Sequence, residues 1–377
     1  MGQRASAQAL SAAFEELFPG QVDALMVDFW TEIVGRPFVR FPEGYSFLAK
    51  NPPLWRAAWN YGRFPVTRRL TEEFANVVGN RNFRNALHQF HPHLIVSVHP
   101  LTQFIPLRVL RTLDHPPPFV TVCTDLGGAH PTWFHRDVDL CFVPSDKVRN
   151  IAMRCGLKEP QLRQFGLPVR PAFWQDNTDK PAVKQQLGLS THSPTILIVG
   201  GGDGVGGVGR IARRVTSRVY EDLGPNGAQV VVVCGKNKRL HDELRKSDWP
   251  VPVVVKGFVN NMSEWMAASD LIVSKAGPGT IAEALIRGLP IVLSGFLPGQ
   301  EAPNVKYVTE AGVGAFSKDP EAIADIVTEW VSDPAELADR SKRAKVMGRP
   351  NATYDIVREI AKLVDLEEVA ALGAPIV

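Results

Sequence analysis

Residues 275–283 read Lys-Ala-Gly-Pro-Gly-Thr-Ile-Ala-Glu. No bulky side chain stands between Ala276 and Thr280, so the backbone there can approach a ligand closely. From Thr280 to Arg287, Ile, Ala, Leu and Ile recur at helical spacing. A glycine-rich loop that opens a helix offers unpaired N–H groups and the positive end of the helix dipole, which suits a phosphate. Glu283, one turn in, could accept hydrogen bonds from sugar hydroxyls. A second glycine-rich run, Gly200-Gly201-Gly202-Asp203-Gly204, follows a strand-like stretch at 195–199. Two such turns in one domain suit two phosphates of one ligand, although a lone turn is weak evidence. Gln300 and Glu301 add a polar pair on a later loop. Ordinary strand–loop–helix crossovers would read the same way locally.

A second group of reactive side chains lies at 125–136, Asp-Leu-Gly-Gly-Ala-His-Pro-Thr-Trp-Phe-His-Arg. Asp125, His130 and His135 could transfer protons, or could merely cap helices. Trp133, on a loop with glycine and proline, reads as exposed, able to stack on a sugar or enter lipid. His99, Asp125 and Ser145 each end a strand-like run, where ligands of open α/β sheets bind. Residues 30–70 interleave nine aromatic with seven basic residues and five prolines, which predicts an irregular segment. That composition suits a bilayer interface with anionic headgroups. It also suits stacking on single-stranded nucleic acid, or a core under loops.

The elements that must position these residues follow an α/β rhythm. Helix is expected at 3–18, 71–90 and 101–113, and strand at 22–27, 93–99, 119–123 and 139–143. A polar, proline-bounded linker spans 173–194. A second α/β set has strands at 195–199, 230–234, 251–255, 271–273 and 290–293 and ends in four helices. The expected domains are 1–172 and 195–350, with 351–377 a helix returning to the first. Phe258, after a short strand, could cover a base or belong to the core. At 377 residues two domains are the prior. No apolar run approaches the roughly 18 residues of a spanning helix. The four cysteines lack metal-type spacing and read as reduced thiols. Net charge is +3, and residues 1–170 carry 19 Lys and Arg against 14 Asp and Glu. The excess points that half at an anionic surface but is too small to favour nucleic acid.

Six stretches together carry a resemblance: HPHLIVSVHPL (91–101), HPTWFHR (130–136), GLPVRP (166–171), the triple glycine with its acidic residue (200–203), VVKGF (254–258) and KAGPGTIAEALIRGLPIVLSGFLPGQEAPNV (275–305). The sequence resembles the monogalactosyldiacylglycerol synthases of glycosyltransferase family 28, and more distantly the peptidoglycan glucosaminyltransferase. The resemblance implies a GT-B fold, two Rossmann-like domains facing a cleft. It implies an inverting transfer of galactose from UDP-galactose to 1,2-diacylglycerol without a metal, with anionic phospholipid as activator. The Gly200, Gly201, Gly202 and Asp203 turn would approach the diphosphate, and the backbone near Phe258 the uracil. N–H groups of Gly279, Thr280, Ile281 and Ala282 would hold phosphate. Glu283 would bind the ribose, Gln300 and Glu301 would face galactose, and Arg170 could contact UDP. Pro37, Arg40, Pro42, Trp55 and Trp133 would mark the acceptor and membrane side. The implied location is peripheral, on a plastid envelope membrane, or on the cytoplasmic membrane face if the source is bacterial.

One departure stands at the start. The family pattern has a first strand and a glycine loop ending in His-Arg-Ala-Ser-Ala, whose histidine is the expected base. Here Gln3 occupies the histidine position, and glutamine accepts no proton at neutral pH. The expectation is a chain that begins after that strand and histidine, with Asp125 and His130 as the nominated replacement bases. The alternatives are a catalytically silent UDP- or lipid-binding relative, or a transferase using glucose or N-acetylglucosamine.

Overall fold

The computed structural model of the chain describes residues 2–40, 43–44, 47–48, 51–174, 179–200 and 207–364. Pro42, Gly201, Gly202 and Asp203 lie outside them. Contacts divide the chain into two units. The first takes in residues up to 171, residues 297–300 and the chain from 351; the second takes in 172–296 and 301–350.

The first unit opens with α1 (Gly2–Leu17), which buries Ala9, Leu10 and Ala13. The run at 22–27, expected as a strand, forms no ladder beyond a single bridge at Val22, and its Leu25 and Met26 are exposed. A strand is a pairing, and apolar composition does not supply the partner. The segment expected to be irregular, 30–70, contains the helix α2 (Pro52–Arg63) and the start of α3 (Pro65–Phe90), which continues as the helix expected at 71–90. Their prolines sit at the first helical positions, where the missing N–H is needed by no carbonyl, so they start helices instead of breaking them. Beyond them come β1 (Ile95–Ser97), α4 (Phe104–Leu110), β2 (Phe119–Val122), β3 (Leu140–Val143), α5 (Asp146–Arg154) and β4 (Leu162–Gln164). Among the described residues these strands make a parallel sheet in the order β1-β2-β3-β4. Every residue of β2 and β3 is buried, the continuous apolar run of a parallel sheet covered on both faces. The last described helix of the chain, α14 (Ala352–Ala361), belongs to this unit. It is held by the Tyr354 hydroxyl donating to Glu16 at 2.7 Å, by Arg163 and Glu359 at 3.1 Å, and by the Val169 N–H donating to the Thr353 hydroxyl at 3.1 Å.

The second unit begins with α6 (Lys180–Gln186), within the expected linker. Its Lys180 and Lys184 ammonium groups lie 2.8 and 3.1 Å from Asp270, whose carboxylate also accepts the Thr195 N–H at 2.8 Å. There follow β5 (Thr195–Val199), α7 (Val208–Leu223), β6 (Gln229–Val233), α8 (Lys238–Arg245), β7 (Val253–Lys256), α9 (Met262–Ala267), β8 (Leu271–Lys275), α10 (Pro278–Ile286), β9 (Ile291–Gly295), α11 (Ala302–Glu310), β10 (Gly314–Phe316), α12 (Pro320–Ser332) and α13 (Pro334–Met347). The parallel sheet has the order β10-β9-β8-β5-β6-β7. From β5 the chain steps outward through β6 and β7, then returns to the other side of β5 for β8, β9 and β10. The strand order therefore reverses between β5 and β8, the place where open α/β sheets bind ligands.

Candidate active site

The two glycine-rich runs of the sequence leave the carboxyl ends of these two neighbouring strands. Val199 of β5 lies beside Ser274 of β8, so Gly200 and Lys275 start their loops side by side. Gly277 caps α10 with Pro278 at the first turn. Two of the four expected phosphate donors are engaged by the helix itself. The Ile281 N–H donates to the Gly277 carbonyl at 3.1 Å, and helical geometry gives the Ala282 N–H to the carbonyl of Pro278. Pro278 has no N–H, and the Gly277 N–H donates to Lys275 at 2.8 Å. An anion at this helix end therefore meets Gly279 and Thr280, with the positive dipole end behind them. Glu283 is half-buried four residues past Gly279, on the same face of α10.

Glu301 is buried, 6% exposed, beside this loop. Lys275 Nζ reaches its Oε1 at 2.7 Å, and Asn304 Nδ2 donates to the Ala276 carbonyl at 2.9 Å. The start of α11 is thus tied to the 275–280 loop by this ion pair and this hydrogen bond. Phe258 is 59% exposed, with the Lys236 ammonium 6.0 Å above its ring. The ring is therefore not part of the core. Arg170 is half-buried in the first unit, at the end of a buried run from Gly166 to Val169.

In the first unit, the nominated bases turn out to have structural duties. Trp133 is 1% exposed within the core, so the expectation of an exposed indole fails. Its Nε1–H donates to Asp125 Oδ2 at 2.8 Å, and Asp125 is buried as well. The tryptophan carries one polar atom inward, and the carboxylate satisfies it. His130 caps the short helical turn 131–133. Its Nδ1 accepts the Thr132 N–H at 3.3 Å, which leaves the proton on Nε2, 3.3 Å from the Trp59 carbonyl. Burial pulls the His130 pKa down from 6.5 to about 4, against the smaller upward pull of that carbonyl. Both ring nitrogens are engaged, so His130 is a neutral spacer and not an available base. His99, after β1, is pulled to about 4 by the protein packed around its ring, and its Nδ1 accepts the Leu101 N–H at 3.2 Å. Gln3 is half-buried on the first turn of α1. Asp137-Val138-Asp139 has the spacing of a DxD metal motif. There Asp137 pairs with Arg111, and Asp139 accepts the Phe119 N–H at 2.7 Å. Among the described residues no three His, Cys, Asp or Glu side chains gather as metal ligands.

The basic and aromatic segment has two faces. Trp55 is buried and Trp59 half-buried on the inner face of α2. Outward stand Leu54, Tyr61 and Phe64, then Val66, Leu70, Phe74 and Val77 along α3, all exposed, with exposed Arg56, Arg63 and Arg69 among them. Positions 66, 70, 74 and 77 form one helical stripe. Pro37 and Arg40 are exposed as well. No described helix is long and apolar enough to cross a membrane.

A sequence profile described as monogalactosyldiacylglycerol (MGDG) synthase matches residues 3–169, and one described as glycosyltransferase family 28 C-terminal domain matches residues 195–356. A probable chloroplastic monogalactosyldiacylglycerol synthase of Glycine max is 43% identical over 368 residues, covering 96% of this chain and 69% of that protein. The chloroplastic monogalactosyldiacylglycerol synthase of Spinacia oleracea is 43% identical, with 96% and 70% covered. The chain belongs to the monogalactosyldiacylglycerol synthase family. Among solved structures, that of Acinetobacter baumannii MurG superposes with a TM-score of 0.56 at 16% identity, covering 77% of this chain and 80% of that one. This likeness is one of fold, and the fold is GT-B, with an open parallel sheet in each of the two units.

In this member of the monogalactosyldiacylglycerol synthase family, sequence reasoning missed Lys275 and Asn304 as the ties around Glu301, Lys236 above Phe258, and Trp59 beside His130. Lys275 carried a signal, because it is the last residue of a buried strand and directly precedes the glycine loop. The partner carbonyls of Asn304 and His130 carried none, since backbone acceptors have no residue signature.

Proposed function

We propose that the chain is an inverting glycosyltransferase that moves galactose from UDP-galactose to 1,2-diacylglycerol, forming a β-galactolipid. The observation that carries this reading is that both glycine-rich runs of the sequence begin at the adjacent ends of β5 and β8, with Glu283 and the Lys275–Glu301 pair beside the second. The relatives named above as monogalactosyldiacylglycerol synthases support the donor and acceptor. Gly279 and Thr280 N–H groups, the α10 dipole and the Gly200 turn would hold the diphosphate and take up the charge that develops as UDP leaves. Phe258 would cover the uracil, Glu283 would bind the ribose, Gln300 and Glu301 the galactose, and Arg170 would add a cation for UDP. The first unit would take the lipid, with the apolar stripe of α3 and its arginines on an anionic membrane surface, and anionic phospholipid as activator. The proposed site of action is the face of a plastid membrane, or the cytoplasmic membrane face in a bacterium.

The reading is tested by supplying radiolabelled UDP-galactose to the protein on diacylglycerol vesicles containing anionic phospholipid. Labelled galactolipid is expected, and release of free galactose alone would sink the assignment. UDP-glucose and UDP-N-acetylglucosamine, run in competition, test the sugar. Gln3, with Asp125 and His130 engaged elsewhere, favours a second reading: UDP and lipid are bound without turnover. Calorimetric UDP binding with no galactolipid, even after Gln3→His, would establish that one instead.

A further inference from the structure

His99, Asp125 and Ser145 each follow a strand of the first sheet, and two of the three are already engaged. Asp125 accepts the Trp133 indole N–H, and the Ser145 hydroxyl donates to the Leu126 carbonyl while accepting the Val148 N–H. His99, two residues past the end of β1, keeps one ring nitrogen. Its Nδ1 accepts the Leu101 N–H at 3.2 Å, so the neutral ring carries its proton on Nε2. Among the described residues no group accepts from that Nε2–H, and the nitrogen is not sealed inside the protein, so a ligand can reach it. The rest of the residue is pinned. The His99 carbonyl accepts the Thr102 hydroxyl and the Gln103 amide, each at 2.8 Å, and the Thr102 N–H at 3.3 Å. Gln103 in turn accepts the hydroxyl of Thr121 at 3.0 Å, and Thr121 of β2 lies beside Ser97 of β1. Ser97, Thr102, Gln103 and Thr121 are all buried. Four buried polar side chains are thus committed to one turn, and the direction of the Nε2–H is fixed with it. Leu101, in the same turn, is an exposed apolar side chain.

We propose that the His99 Nε2–H donates to an ester carbonyl of the diacylglycerol and so orients its free hydroxyl. The inference rests on the acceptor reading above. Burial lowers the His99 pKa from 6.5 to about 4, so the ring is neutral at pH 7. A neutral imidazole with its proton on Nε2 gives a hydrogen bond there and takes none, so His99 is not a base. A bond donated to the attacking hydroxyl oxygen would draw off the electron density that attack needs. The useful partner is therefore an oxygen that does not react. In a glycerol diester that oxygen is an ester carbonyl, a neutral acceptor that needs no charge to hold it. The exposed Leu101 beside it suits the acyl chain that begins at that carbonyl.

The test removes the carbonyl from the lipid and the donor from the protein in turn. Dioctanoylglycerol and dioctylglycerol, its ether analogue without carbonyls, are titrated separately into the full chain, and the change in tryptophan fluorescence gives each affinity. Binding is read without turnover, so the residue at position 3 does not enter. The wild type should hold the diester more tightly than the diether. His99→Ala should weaken the diester roughly five- to tenfold, the worth of one hydrogen bond, and leave the diether unchanged. The loss should therefore vanish when the carbonyl is already absent. His99→Gln keeps an N–H donor on a side chain of similar reach and should retain most of the preference. A merely structural role would weaken both lipids alike, so equal losses for diester and diether overturn the assignment. A preference for the diester that survives in His99→Ala, or a wild type that binds the two lipids equally, overturns it as well and leaves the acceptor reading standing. A wild type that binds neither lipid overturns the acceptor reading, and the inference with it.

Discussion

The Lys275 ammonium and the Glu301 carboxylate are 2.7 Å apart, one at the end of β8 and the other at the start of α11. The glutamate is almost wholly enclosed, while the lysine side chain is 48% exposed. The pair therefore holds a buried carboxylate in place with a cation that solvent still reaches. Lys275→Ala should lower stability by about 1 kcal/mol, below the cost of breaking a fully buried pair because solvent screens the lysine. The same variant should weaken UDP-galactose more than UDP, since it loosens Glu301 and leaves Glu283 untouched. Lys275→Arg should restore most of both. Urea unfolding and calorimetry check the two effects, and a Lys275→Ala protein with wild-type stability and wild-type donor affinity would show that the pair holds neither the fold nor the donor.

The stripe Val66, Leu70, Phe74 and Val77 predicts where the protein meets lipid. These side chains are exposed, so Leu70→Glu and Val77→Glu should leave folding within about 0.5 kcal/mol of wild type. Each removes an apolar side chain whose transfer from water is worth about 1.5–3 kcal/mol, and each adds a negative charge that an anionic surface repels. Partition onto anionic vesicles should fall at least about tenfold for each, and the double variant should remain in solution. Raising salt should weaken wild-type partition as well, through the arginines. Unchanged sedimentation with vesicles would assign this face to something other than a membrane.

The parts of this molecule legible in the sequence are those set by local chemistry. The strands β5, β6 and β8 carry the apolar runs 196–199, 230–233 and 271–273, and Gly277 followed by Pro278 at the first helical position is a helix start that can be read locally. The parts that were not legible depend on partners far along the chain. Leu25 and Met26 look like strand residues, yet a strand needs a neighbour. Pro52 and Pro65 look like breakers, yet a proline breaks a helix only when a carbonyl behind it needs an N–H. Trp133 looks exposed because its loop contains glycine and proline, yet Asp125, eight residues earlier, gives its indole N–H an acceptor inside the core.

The Trp133–Asp125 bond separates a structural from a lipid-facing tryptophan. Trp133→Phe keeps the ring and removes the donor, so a buried carboxylate oxygen loses a hydrogen bond. The expected loss of stability is about 1–3 kcal/mol, and Trp133→Phe/Asp125→Asn should recover part of it by removing the charge. Vesicle partition should stay at the wild-type level in both. A Trp133→Phe protein of full stability that no longer binds vesicles would return Trp133 to the membrane side.

His130 gives stability a defined dependence on pH. Its pKa is about 4 in the folded chain against 6.5 for the free side chain, because burial disfavours the charged ring. Between these values the unfolded chain binds the extra proton and the folded chain does not, so stability rises with pH across that window. The contribution is complete above pH 6.5 and is lost as pH falls towards 4. The difference corresponds to about 3 kcal/mol. His130→Gln keeps a side-chain acceptor and donor but does not titrate. It should therefore flatten the rise in unfolding free energy between pH 4 and 6.5, with His99, also lowered to about 4, and His135, lowered by burial, among the groups that supply the slope that remains. Urea unfolding at a series of pH values gives the slope directly, and equal slopes for the variant and the wild type would show that the ring is not neutral because of its burial.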